Sequence, residues 1–379
     1  MFRVKISCDG ATHSRSNHDN ILIQKFLPSW GNKWKNCEFF LNDKSITKAD
    51  YWVIAGDVSL DEEVCEVPEG NIIFMTGEPQ SIRRYDTSPD FVKQFDRIFT
   101  SQQDFKHEKV FSCRPPINWW IDGGNPIKSQ QEFDEWDGGK FGYDDFKNLR
   151  EIKKDKLLSV FCSNKIFTEG HKLRFNFCQK IKNHFKDKVD WFGNGVRPIE
   201  SKWDGIAPYK YHIALENFNG PDYWTEKLMD PLMVLSHPIY CGATNIEKYF
   251  SADQISTIDI KYPRTAIAKI ERLIDENFYE KNFNSLMAAR DLVMDEYNFF
   301  NIISEIAESD AQKGASKEKP RSIKIKKEQH FLLQTGVPNV IIKKKFLQRL
   351  QKSALKKVRK IKLFLSDYLL LLKLKLEIK

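Results

Sequence analysis

YKYHIALENFNGPDYWTEKLMDPLMVLSHPIYCGATNIEKY, residues 209–249, reads as strand, polar loop, helix, short strand and turn in unbroken succession. Residues 211–215 are a short apolar and aromatic run whose length and residue types predict a buried strand. That strand delivers Glu216 and Asn217 to its C-terminal end, the edge at which open α/β sheets bind ligands. The loop 218–222 is rich in Gly, Pro, Asn and Asp, and Thr225 beyond it is a good N-cap. Glu226 and Lys227 then fall in the first helical turn, where unpaired amides and the positive end of the helix dipole suit a phosphate. Spacing alone also allows an ordinary strand–loop–helix unit with a solvated Glu–Lys pair. Pro238, Ile239 and Tyr240 followed by Gly242 predict the next strand and its turn.

Upstream, residues 2–7 alternate apolar and basic side chains and end in Cys8, Asp9 and Gly10, which predicts a first strand and loop. The runs 49–56, 71–76 and 95–100 are short, apolar and bounded by polar or turn residues, as expected for buried strands of a mostly parallel sheet. The second of these runs into Gly77, Glu78 and Pro79. A permissive glycine on one side and a rigid proline on the other place the Glu78 carboxylate at a strand's C-terminal edge, facing a cleft. Residues 112–120 form a loop rich in Pro and Trp, in which Trp119 and Trp120 either meet sugars or pack a domain interface. The polar, Gly-rich stretch 122–156 predicts a domain boundary at its end.

A second α/β unit opens with a strand at 157–162 ending in Ser163, Asn164 and Lys165. Residues 169–185 carry Leu173, Phe177, Ile181 and Phe185 at helical spacing, with Arg174 beside the stripe. A strand at 189–192 and the turn Gly193, Asn194, Gly195 lead into the opening stretch. Residues 255–260 predict a last short strand and residues 264–308 closing helices. The domains expected are therefore 1–156 and 157–308, each Rossmann-like and facing a cleft, followed by a linker over 309–342. Beyond it, Phe346, Leu350, Ala354, Val358, Ile361, Leu365, Leu369 and Leu372 recur at helical spacing among Lys and Arg, the pattern of a basic amphipathic helix over 343–379. Such a helix either meets an anionic lipid surface or docks on the body.

The chain has 379 residues, is 41% apolar and 13% aromatic, and carries a formal charge of +8. Residues 343–379 hold thirteen Lys and Arg against Asp367 and Glu377, so the rest of the chain is mildly acidic, at −3. That distribution argues against nucleic acid covering the whole protein and for one tail that meets an anionic surface. The seven cysteines include no C-x-x-C pair and mostly lie in apolar runs, so buried free thiols and a reducing cytosol are expected. No apolar leader or run of about 20 uncharged residues occurs, and no membrane crossing is expected. His18, His171 and His212 are scattered, without a His/Cys ligand cluster or an Asp-x-Asp after a predicted strand. Protein cations, and not a metal, are expected to hold an anionic group.

The run YKYHIALEN with DYWTEK, Pro238 to Gly242 and Asn245 to Phe250 resembles the donor-binding signature of the family-10 glycosyltransferases, the α-1,3-fucosyltransferases, which use GDP-fucose. The resemblance is strong over about 157–250, moderate around Glu78, and fades elsewhere. It implies a GT-B-like fold and inverting transfer of fucose from GDP-fucose to a Gal- or GlcNAc-containing surface glycan. It makes Glu78 the general base, Arg174 and Lys227 the pyrophosphate contacts and Glu226 the carboxylate on the ribose hydroxyls, with Asn217 and Tyr223 lining the nucleotide-sugar site. No bound metal is implied, a divalent ion serving at most as a stimulant. Asp9 and Asp57 are next in line as bases. Pro231 departs from the family pattern inside the helix after Thr225, where a kink is expected. A bacterial enzyme on the cytoplasmic face of the membrane fits best. The same fold with another GDP-deoxysugar stays open, as does a module that binds membrane or nucleic acid through its tail.

Overall fold

The computed structural model describes residues 1–8, 24–121, 141–166, 168–314 and 319–334. Met1–Lys327 form one compact unit and Glu328–Lys379 a second, of which the helix Glu328–Gln334 is described. The basic segment 343–379, Asp9, His18 and most of the polar boundary stretch lie outside the described residues.

Two mainly parallel sheets and a two-stranded antiparallel one make up the strands of the larger unit. The first uses β1 (Phe2–Cys8), β2 (Lys33–Trp34), β3 (Cys37–Leu41), β4 (Tyr51–Ala55), β6 (Ile72–Met75), β7 (Arg97–Thr100) and β8 (Val110–Ser112), in the order β2-β3-β1-β4-β6-β7-β8. Every pairing is parallel except β2 with β3. Strands β4 and β6 are apolar along almost their whole length because both faces of the sheet are covered.

The second sheet uses β9 (Lys156–Phe161), β10 (Val189–Phe192), β11 (Tyr209–Leu215), β12 (His237–Cys241) and β13 (Ser256–Thr257), all parallel, in the order β10-β9-β11-β12-β13. After β9 the chain steps outward to β10 and then crosses back to β11. The switch point therefore lies between β9 and β11, and ligands bind at the carboxyl ends of such strands. The last strand is shorter than the predicted 255–260. The helices Glu169–Phe185 and Glu226–Met233 follow β9 and β11 and bury Phe177, Cys178, Ile181, Leu228, Met229 and Leu232 in one core with Val160 and Ile213.

The expected domain boundaries are corrected in both directions. Trp119, Ile121 and Phe146, assigned from sequence to the first domain, pack in the core of the second. Conversely, the helix Phe299–Gln312 leaves the closing helices and buries Phe299, Phe300, Ile303 and Ala307 against Val4, Ile6 and Tyr51 of the first sheet. The linker expected over 309–342 is also corrected. It begins with the end of that helix and continues as β14 (Pro320–Lys326), which pairs antiparallel with β5 (Glu62–Pro68) over seven registered positions. Alternating exposed and buried residues in β5 are the mark of a half-covered strand.

All seven cysteines are free thiols, six of them buried. No described helix is long and apolar enough to cross a membrane.

Candidate active site

The helix Glu226–Met233 starts where the sequence places it, with Thr225 as N-cap. Thr225 is itself held by Glu216, the first residue beyond β11. The Thr225 amide donates to Glu216 Oε1 at 2.7 Å, and its hydroxyl donates to the same carboxylate at 2.9 Å. Lys227 Nζ reaches Thr225 Oγ1 at 3.1 Å, Glu226 Oε1 at 2.9 Å and Glu216 Oε2 at 3.6 Å. Burial pulls the Lys227 ammonium down, but Glu216 and Glu226 outweigh it and hold it above the ordinary lysine value. Burial raises the Glu216 carboxyl against the pull of Lys227. Glu226 resists the same burial because Lys227 and Lys202 keep its carboxyl at about 2. Glu226 is thus a partly buried carboxylate, its pKa held low, beside a cation at a helix N-terminus.

Pro231 lies inside this helix, which ends two residues later at Met233. Its missing N–H leaves the Lys227 carbonyl without the usual i→i−4 partner, and the Pro231 carbonyl accepts from the Ser236 amide at 2.8 Å.

Arg174 comes to the same strand ends from the helix Glu169–Phe185, whose N-cap Thr168 accepts from the His171 amide at 3.2 Å. The Arg174 side chain is buried, with Nη1 donating to the Leu215 carbonyl at the end of β11 (3.2 Å) and Nε lacking a partner among the described residues. A Cβ added at Gly170 would stand 2.5 Å from the Asn217 carbonyl oxygen, which is why the helix can approach the loop so closely. Gly170→Ala must push backbone away, so a loss of about 1–3 kcal/mol of stability is expected, read as a lowered Tm together with weaker nucleotide binding.

Tyr223 is buried between these groups, its ring edge-on to Phe218 at 5.8 Å. Burial drives its hydroxyl far above the usual tyrosine value. The negative charges of Glu216, Glu78 and Glu226 add to that, and Arg174 opposes it. Glu78, delivered by the first sheet after β6, keeps its side chain exposed. Its loop is clamped by buried Gln102, whose Nε2 donates to the carbonyls of Glu78 at 2.9 Å and Arg83 at 2.7 Å. Asp57 is not placed to act as a base: it is buried, accepts from the Val58 amide at 2.9 Å and faces Arg83 at 3.6 Å. Trp119 is buried in the core, so its packing role holds, whereas Trp120 is 47% exposed.

Arg174, Glu216, Glu226 and Lys227 thus meet at the carboxyl end of β11, Asn217 and Tyr223 lie in the loop that follows that strand, and Glu78 stands beyond the end of β6 in the first sheet. Sequence reading gave no role to Glu216, although its position after a buried strand was visible, and overlooked Lys202, Gln102 and Asp230. Their partners lie 19 or more residues away, beyond the reach of a local pattern. Among the described residues, no group of three or more His, Cys, Asp or Glu side chains could hold a metal ion.

Two α/β sheets with almost wholly parallel strands, each backed by helices, have the GT-B-like arrangement. Residues 152–285 match the model described as "Glycosyltransferase family 10 (fucosyltransferase) C-term". GDP-fucose protein O-fucosyltransferase 3 of Xenopus laevis is 33% identical over 97 residues, 25% of this chain and 20% of the relative. Alpha-(1,3)-fucosyltransferase B of Drosophila melanogaster is 24% identical over 212 residues, 51% of this chain and 43% of the relative. The chain thus spans between a fifth and under half the length of these relatives. A crystal structure of an α1,3-fucosyltransferase with GDP covers 77% of this chain and 90% of its own, at 16% identity and a TM-score of 0.44.

Proposed function

We propose that the protein is an inverting fucosyltransferase that moves L-fucose from GDP-fucose to a hydroxyl of a Gal- or GlcNAc-containing glycan. The observation that carries this reading is the cation pair at the carboxyl end of β11, where Lys227 sits on the Thr225 cap between Glu226 and Glu216 and buried Arg174 donates to the Leu215 carbonyl. The acceptor hydroxyl attacks the anomeric carbon of the sugar from the Glu78 side, and Glu78 takes the hydroxyl proton as the new bond forms. The bond from that carbon to the β-phosphate oxygen breaks on the opposite face, and the electron pair leaves with GDP. Arg174 and Lys227 hold the charge that develops there, within a buried site where fixed cations act most strongly. Glu226, ionised beside Lys227, accepts hydrogen bonds from the ribose hydroxyls. Glu216 fixes the Thr225 cap and so the aim of Lys227. Isothermal titration with GDP tests the donor half of this reading; absence of binding would remove it.

We further propose that residues 343–379, with thirteen cations among regularly spaced apolar residues, bring the enzyme to an anionic membrane surface on its cytoplasmic side. Truncation before residue 343 should release the protein from phosphatidylglycerol-containing vesicles and leave turnover of a soluble acceptor intact. Retention on the vesicles, or unfolding of the truncated protein, would contradict the membrane role.

A further inference from the structure

The chain passes from the first sheet to the second at residues 113–121 and returns at residues 296–299. The two crossings are bound to each other. Arg114 Nη2 donates to the Tyr297 carbonyl, Asn118 Nδ2 donates to Asn298 Oδ1 at 3.2 Å, and the Phe299 amide donates to Asn118 Oδ1 at 2.9 Å. Arg114 also donates to the carbonyls of Pro115 and Ile117 and stacks on Trp224 at 5.0 Å. This pair of peptides is the joint between the sheets.

One side chain connects that joint to the nucleotide-facing helix. Asp230 lies one turn beyond Glu226, is 1% exposed, and takes three donors. Its Oδ1 accepts from the amides of Trp120 at 2.6 Å and Ile121 at 3.0 Å, and its Oδ2 accepts from Lys202 Nζ at 2.7 Å. A buried carboxylate is costly unless so satisfied, and this one spends two of its contacts on the backbone of the crossing. The other end of the same motif makes a matching contact: Asp222, at a φ of +57°, accepts from the Ser112 hydroxyl at the end of β8. The crossing continues directly from β8, which lies two strands from β6 and hence from Glu78.

We propose that Asp230 is a positioning residue that ties the nucleotide-facing helix to the inter-sheet crossing and so sets where Glu78 stands relative to the bound sugar. This rests on the reading that Glu226 and Lys227 meet the nucleotide. A nucleotide that draws on Lys227 orders the helix, and Asp230 passes that order to the Trp120 and Ile121 amides. Asp230 touches neither substrate, so its loss separates transfer from binding.

The test combines hydrogen exchange with kinetics on the full chain. In the wild-type protein, saturating GDP should slow amide exchange in peptides that span 115–121. Asp230→Asn should abolish that slowing and lower the ratio of transfer to donor hydrolysis by at least about tenfold, as misplacement of reacting groups does. GDP affinity should stay within about threefold of wild type. An unchanged ratio, or a GDP affinity that falls in step with transfer, would overturn the proposal. If the variant does not fold, the wild-type exchange decides: GDP that binds without slowing exchange at 115–121 refutes the coupling alone. Failure to bind GDP at all removes the underlying reading and this inference with it.

Discussion

Glu78→Gln is expected to lower transfer by about 10²- to 10⁴-fold, the range over which a positioned general base contributes. The glutamine keeps the length and shape of the side chain, and the clamp on the loop is made through the Glu78 backbone carbonyl, which the substitution leaves in place. What is lost is the capacity to accept the acceptor proton. GDP affinity should barely move, because Glu78 comes from the first sheet while Arg174 and Lys227, the cations proposed to meet the nucleotide, stand on the second. The contrast is what identifies a base. A variant that lost GDP binding as well would show that the residue holds the cleft together, and near-normal transfer would reassign the base. Asp57 is a poor substitute, being buried and engaged by Val58 and Arg83.

Lys227→Ala and Arg174→Ala should each weaken GDP binding by about ten- to a hundredfold, from the loss of a charge-assisted contact worth roughly 1.5–3 kcal/mol. Of the two, Lys227→Ala is expected to do more. Its removal strands Glu216 and Glu226 without their shared cation, 3.6 Å and 2.9 Å away, and the two carboxylates, Glu216 buried and Glu226 partly so, then repel both each other and the diphosphate. A secondary signature follows for Glu226. Its folded value of about 2 depends on Lys227 and Lys202 outweighing burial, so without Lys227 its carboxyl should titrate at a higher pH. Ionised Glu226 is present above its folded value and lost as pH falls through it, so nucleotide binding in the variant should fail at a higher pH than in wild type. Titration calorimetry across pH reads both effects, and unchanged GDP affinity in both variants would rule out the phosphate roles.

Much of this architecture was legible because its strands are buried on both faces. Runs such as those ending in Met75 and Leu215 need only length and residue type to be read, and the Thr225 cap followed by Glu226 and Lys227 is a local signal. The elements that escaped depend on partners far along the chain. Strand β14 reads as a Lys-rich linker until β5, more than 250 residues earlier, supplies its ladder. The helix Phe299–Gln312 carries an ordinary amphipathic pattern that says nothing of which sheet it covers. Within the site, Arg174 beside an apolar stripe gave no sign that it would be buried against Leu215. Gln102 and Asp230 gave none at all, since each acts by holding the backbone of a distant segment.

Fucosyl transfer is the reaction proposed for Glu78 acting with Arg174, Glu226 and Lys227. Incubating the protein with GDP-fucose, and separately with other GDP-sugars, over a panel of small Gal- and GlcNAc-containing glycans, followed by mass and linkage analysis of the products, tests it most directly. The expected product is a fucosylated glycan of inverted anomeric configuration, formed with stoichiometric GDP and faster from GDP-fucose than from any other donor. Faster turnover of another GDP-sugar, or no glycosylated product despite GDP binding, would contradict it.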